Sequence, residues 1–123
     1  MNILIYRYGS ICEPDVITGF EELGNHVHEI TAEIYNKDLL PSEGVTLLKN
    51  ELLAHSYDFV FSINFFPFIS EVCNIFQIRY LCWTVDSPVM ELYSYSIKNP
   101  WNRIFLFDLA QYNEFSPKNP DCI

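Results

Sequence analysis

The apolar residues of this chain fall into five short blocks separated by polar breaks, with helical spacings between the blocks. NILIY (2–6) is a compact apolar run ending at Arg7-Tyr8-Gly9-Ser10. HVHEI (26–30) alternates polar and apolar, the pattern of a strand near a sheet edge. YDFVFSI stops at Asn64, RYLCWTV stops at Asp86-Ser87-Pro88, and RIFLF (103–107) stops at Asp108. Between the blocks the period changes. Val16, Ile17, Phe20 and Leu23 recur at helical spacing within 14–23, with Pro14 suited to a first turn and Gly24 to a left-handed residue after the last. A polar loop precedes Ser42, which opens a second helix whose Val45, Leu48 and Leu52 line one face, with Leu47 and Leu53 beside them. Phe68, Ile69, Val72, Cys73 and Phe76 mark a third. A short helix is expected from about Pro88, and one or two last turns over 109–115.

Strand and helix patterns alternate five times, so the expected class is α/β. Near-continuous apolar strands joined by helical crossovers imply a parallel sheet covered on both faces, with right-handed connections. The expectation is a Rossmann-like three-layer sandwich of five strands, with a possible sixth, in the order 3-2-1-4-5 with the first strand central. Residues 1–116 form the domain. The turn-rich SPKNPDCI, of which 117–123 are the tail or the start of a linker, reads as the approach to a further domain.

At 123 residues the chain is long enough to bury roughly two-thirds of its unfolded surface. Half of it is hydrophobic and 16% aromatic, which excludes a disordered or fibrous protein. A net charge of −9 argues against nucleic acid or an anionic membrane surface as partner. Cys12, Cys73, Cys82 and Cys122 form no C-x-x-C pair, and Cys73 and Cys82 lie inside apolar runs where cysteine acts as a small hydrophobe. No signal-peptide pattern and no run near the ~18 apolar residues of a membrane helix is present, so a cytoplasmic, reduced protein is expected.

Several chemistries lack their residues. RYGSICEPD after the first strand holds one glycine, so neither G-x-G-x-x-G nor G-x-x-x-x-G-K-[ST] is present. A receiver domain needs an aspartate where Ile63 and Asn64 stand. No G-x-S-x-G elbow supports a hydrolase. His26 and His28 share one face of a surface strand without an acidic third ligand, so no metal site is expected.

What remains is a ring of polar residues where the strands end, the edge at which open parallel sheets bind ligands. Arg7 and Tyr8 follow the first strand, Asn64 the third, Asp86 and Ser87 the fourth, and Asp108 the fifth. One reading is a cleft floor for a polyhydroxyl ligand, with Asp86 as a base toward a hydroxyl. The other is helix capping by Asn64, Ser87 and Asp108, and a structural ion pair of Arg7 with Asp86 or Asp108. If Ser87 caps ahead of Pro88, the Asp86 carboxylate stays free. Among the aromatic residues, Phe68 and Trp83 are expected in the core. Tyr93, Tyr95 and Trp101 are the better candidates for ligand or interdomain contact.

The segments NILIYRYGS, GFEELGNHVHEI, DFVFSINFFPFISEVC, RYLCWTVDSP and RIFLFDLAQ together resemble the amino-terminal domain of spore-maturation CgeB-like glycosyltransferases, with WTVDSP the most specific. The resemblance covers essentially the whole chain and implies a GT-B architecture of two Rossmann-like domains across a cleft. It further implies metal-independent transfer of a sugar from a nucleotide-sugar donor to an acceptor glycan, protein or small molecule. This chain would be the acceptor-side half, carrying no cofactor itself, and a carboxyl-terminal domain would hold most of the donor. The positions carried over are Asn64 in SINFFP and Asp86 in WTVDSP, with Arg7, Tyr8, Ser87 and Asp108 as cleft-lining support. The chain alone is expected to be inactive. The rival reading is a non-catalytic α/β module that binds a partner protein through its aromatic-rich face.

Overall fold

The structure, a computed structural model, describes residues 1–36, 40–84 and 95–106. The elements run β1 (Asn2–Tyr6), α1 (Glu13–Glu22), β2 (His26–Ile30), a single helical turn α2 (Ala32–Tyr35), α3 (Pro41–Ala54), β3 (Phe59–Ile63), α4 (Pro67–Phe76), β4 (Arg79–Thr84), a 3₁₀ turn (Tyr95–Lys98) and β5 (Asn102–Leu106). The fold is α/β, as the alternating patterns require. The expected helix near Pro88 and the turns over 109–115 lie outside the described residues, as do Val85 and Phe107.

All five strands are parallel, in the order β2-β1-β3-β4-β5. This corrects the expected order 3-2-1-4-5. The central strand is β3, and β1 lies one place from the edge. The reason was present in the residues. An order 3-2-1 would have buried HVHEI between two strands and left FVFSI, apolar but for Ser62, at an edge. In the observed sheet β2 is the edge strand, with His26, His28 and Glu29 exposed, whereas Val60, Phe61, Ser62 and Ile63 of β3 are buried between β1 and β4.

The pleat divides the strand residues between two cores. Leu4, Tyr6, Val60, Tyr80, Cys82 and Ile104 pack with Leu48 and Leu52 of α3 and Ile69, Val72 and Cys73 of α4. Ile3, Ile5, Phe61 and Ile63 face the other way, against Ile17 of α1. One polar link holds the first core together. The buried Ser70 hydroxyl donates to Asn102 Oδ1 at 2.7 Å and accepts from Asn99 Nδ2 at 2.9 Å, tying α4 to the start of β5. Cys12, Cys73 and Cys82 are free thiols, the last two buried as expected.

Two helices end in the same way with different residues. Past α1, the Gly24 N–H reaches the Glu21 carbonyl and the Asn25 N–H the Phe20 carbonyl, with Gly24 at φ +88°. Past α4, Gln77 holds the equivalent left-handed seat at φ +57°, with its N–H on the Asn74 carbonyl and that of Ile78 on Cys73. A Cβ is strained there. Gln77→Gly therefore raises stability by about 1 kcal/mol and Gly24→Ala lowers it by about 1 kcal/mol in urea unfolding. The same sign for both would contradict this account.

Several buried acids keep their protons unusually long. Burial, helped by the charge of Glu33, pushes the Tyr6 hydroxyl up to about 12, and burial alone pushes the Cys73 thiol up to about 12. Burial, followed by a hydrogen bond to Glu51, raises Tyr57, and burial raises Tyr80 well above its ordinary value. In the unfolded chain these groups ionise near 9 to 10. Their neutral forms therefore stabilise the fold fully below about pH 9, and that contribution is lost as pH rises through the folded values. The urea midpoint is expected to fall between about pH 8 and about pH 11; an unchanged midpoint would refute it.

Candidate functional site

In a doubly wound sheet the crevice lies where successive crossovers leave in opposite directions. Here that point falls between β1, whose crossover α1 leads outward to β2, and β3, whose crossover α4 leads to β4. The expected order would have set it between the first and fourth strands, bringing Arg7 and Tyr8 beside the residues after RYLCWTV. The observed order brings them beside Asn64.

The loop after β1 is organised by a residue that the sequence reading did not single out. Glu13, the first residue of α1, is 1% exposed. Its Oε2 accepts the Tyr8 N–H at 2.9 Å and its Oε1 the Gly9 N–H at 3.0 Å. Gly9 at φ +101° lets these two amides converge. Consecutive backbone N–H groups of this kind form an anion-binding concavity, and the start of a helix favours negative charge. The chain fills the concavity with its own carboxylate.

Arg7 completes the cluster. Its Nε meets Glu13 Oε1 at 3.3 Å and its Nη1 meets Glu29 Oε1 at 2.7 Å. Burial of the guanidinium works against its charge, but the hydrogen bonds and charges of Glu29 and Glu13 outweigh that and hold it ionised. Among the described residues the partners of Arg7 are thus Glu13 and Glu29; Asp86 and Asp108, the partners considered in the capping reading, lie outside those residues. A first-turn acid beside Pro14 was the available signal for Glu13; its burial was not legible.

At the end of β3, Asn64 adopts φ +64°, a left-handed conformation that asparagine tolerates better than most residues. Its N–H extends the β3–β4 ladder to the Trp83 carbonyl at 2.8 Å, and its Nδ2 donates to the Tyr8 hydroxyl at 2.9 Å. The Tyr8 ring meets Phe66 edge-to-face at 5.5 Å. The helix-capping reading of Asn64 is therefore corrected. The residue before α4 is Phe66, with no side-chain cap, and the Asn64 amide points to the neighbouring strand's loop instead.

The buried Tyr80 hydroxyl holds this turn from beneath. It pairs with the Ser62 hydroxyl at 2.5 Å, accepts the Phe66 N–H at 3.0 Å and lies 3.4 Å from the Asn64 carbonyl. A chain leaving a strand in a left-handed turn leaves polar backbone groups to satisfy: Tyr80 accepts the Phe66 N–H, and the Ser62 hydroxyl it pairs with donates to the Asn64 carbonyl at 2.7 Å.

Asp86, Ser87, Asp108 and Tyr93 lie outside the described residues. Phe68 is partly buried against the core as expected, with its ring 5.3 Å from that of Tyr6. Trp83 is not a core residue: it is 44% exposed, because its position in β4 faces the α1 side and α1 packs over β1 and β3. Trp101 is half-buried. His26 and His28 are exposed on their shared face; the His28 ring stacks on His55 at 6.0 Å. Among the described residues no group of three or more His, Cys, Asp or Glu side chains is placed to hold a metal, and no helix is long and apolar enough to cross a membrane.

The fold and its crevice define an α/β protein of the parallel, doubly wound, Rossmann-like class. No family model, curated protein or solved structure matches the chain.

The Glu13 cluster makes its own prediction. Arg7→Ala leaves a buried carboxylate without its cation and costs about 3 kcal/mol in urea unfolding. Glu13→Gln alone is also destabilising, because an amide has one acceptor oxygen and its Nε2 would face the N–H of Tyr8 or Gly9 that a carboxylate oxygen now accepts. A single-variant loss below about 1 kcal/mol would mark the pair as an ordinary surface ion pair.

Proposed function

We propose that this domain is the acceptor-side half of a GT-B glycosyltransferase, moving a sugar from a nucleotide-sugar donor to an acceptor hydroxyl. The observation that carries the reading is the pairing of Tyr8 with Asn64 across the β1/β3 crevice, which sets an aromatic ring and a primary amide side by side. Carbohydrate recognition needs that combination: a ring face for the C–H surface of a sugar and a few well-placed polar groups for its hydroxyls. The Glu13-filled loop adds support. Its converging amides already hold a carboxylate, so a nucleotide's phosphates have no seat in this loop, in keeping with a donor held by a second domain.

In the reaction, the acceptor hydroxyl oxygen forms a bond to the anomeric carbon as the bond from that carbon to the nucleotide diphosphate breaks. The acceptor's proton passes to a base, for which Asp86 in WTVDSP is the candidate. Arg7 holds the β1 loop in place, and Tyr8 and Asn64 orient the acceptor.

Saturation-transfer NMR of this chain against mono- and oligosaccharides and free nucleotide sugars tests the reading. Saccharide signals are expected. Tyr8→Phe, and Asn64→Gly, which keeps the left-handed backbone and removes the amide, should each weaken them about tenfold. Binding of nucleotide sugars through their nucleotide, with no saccharide response, would overturn the assignment to the acceptor side.

A further inference from the structure

Away from the β1/β3 crevice, two of the three histidines come together from segments far apart in the chain. His28 stands on the edge strand β2, on the face it shares with His26 and with Ile30, which packs into the core beneath α3. His55 directly follows the last residue of α3. The two rings lie 6.0 Å apart with their planes 19° from parallel. Spacing along the sequence pairs His28 with His26; the fold pairs it with His55.

A third ring holds both. Tyr57, 9% exposed, meets His28 edge-on at 5.6 Å and His55 edge-on at 6.3 Å. Its hydroxyl donates to Glu51 Oε1 at 2.5 Å, and the same oxygen lies 3.9 Å from His55 Nε2. That is too long for a hydrogen bond but within reach of a small turn of the ring. Both imidazoles are exposed, and among the described residues neither makes a hydrogen bond. Two imidazoles with unused nitrogens are thus set side by side in water over a buried tyrosine.

The spacing suits one ion. Two imidazoles that share a metal at about 2.0–2.1 Å have ring centres about 5 to 6.5 Å apart. Turning an exposed ring about its second torsion, which is broad in histidine, aims its nitrogen without moving the backbone. The surroundings favour positive charge: the site lies at the carboxyl end of a 14-residue helix with no basic residue in its last turn, in a chain of net charge −9. Imidazole selects zinc, copper and nickel over hard cations. Two protein ligands are fewer than the four of a structural zinc, so water fills the other positions and the ion exchanges.

We propose that His28 and His55 form an exchangeable site for a late divalent transition metal, with Glu51 orienting His55 through its second ring nitrogen. A carboxylate in that place is the usual companion of a ligating histidine. The site uses none of the residues of the crevice, so it stands apart from the transfer reading. Because the ion ties an edge strand to the end of a helix, its binding adds to the stability of the fold.

Nickel chloride titrated calorimetrically into the full chain, free of any affinity tag, tests this. One ion per chain is expected, with a urea midpoint that rises with nickel. Magnesium chloride, an ion that prefers oxygen ligands, should do neither and so controls for the chain's negative charge. His28→Ala and His55→Ala, both exposed substitutions, should each weaken nickel at least about tenfold, and Glu51→Gln about tenfold. His26→Ala should leave the affinity unchanged. Proton NMR gives a readout independent of stability: at substoichiometric nickel the imidazole signals of His28 and His55 should broaden ahead of those of His26. Nickel uptake undiminished in His28→Ala or in His55→Ala would overturn the proposal. So would an equal response to magnesium, or one ion per two chains, which would mark a bridge between copies.

Discussion

The need to bury β3 on both faces is the constraint on which the rest of the structure depends. Phe61 and Ile63 face α1 while Val60 faces α3 and α4, so the strand is stable only between two others and beneath two helical layers. Placing it centrally forces β2, with its exposed histidines and glutamate, to the edge. It also moves the divergence of crossovers to the β1/β3 boundary. The candidate site therefore follows from the hydrophobicity of a strand that contributes only its last residue's neighbour, Asn64, to the site itself.

The crevice is held by groups that satisfy one another. Glu13 takes two backbone amides and Arg7, and Arg7 takes Glu29, so the ends of β1 and β2 and the start of α1 are joined by one run of charge-assisted contacts. On the other side of the crevice, Tyr80 does the same without charge, reaching up from β4 to fix the turn through Asn64 and Phe66. The Tyr8–Asn64 hydrogen bond then spans two rigid walls. Groups preset in this way lose little freedom when a ligand arrives.

The sheet offers different surfaces at its end and on its face. At the carboxyl edge, strands stop and backbone groups must find partners, so amides, hydroxyls and carboxylates collect there. On the α1 side of β4 and β5 the surface is set by alternate side chains, and Leu81, Trp83 and Phe105 make it apolar.

The pattern of residues by itself determined the class, the parallel pairing, most strand and helix positions, and Gly24 as a left-handed terminator. It also held the information for the strand order, since an alternating HVHEI belongs at an edge, although spacing alone led to the wrong arrangement. Tertiary structure decided the rest. Asn64 looked like a helix cap because local sequence reports only that a short polar residue precedes a helix; its rotation toward Tyr8 depends on a strand 56 positions away. Trp83 looked like a core residue because an apolar run does not say which face a helix covers. Glu13 looked like an ordinary first-turn acid, and only the fold of the β1 loop buries it. These are properties of proximity between distant segments, which periodicity along one chain does not encode.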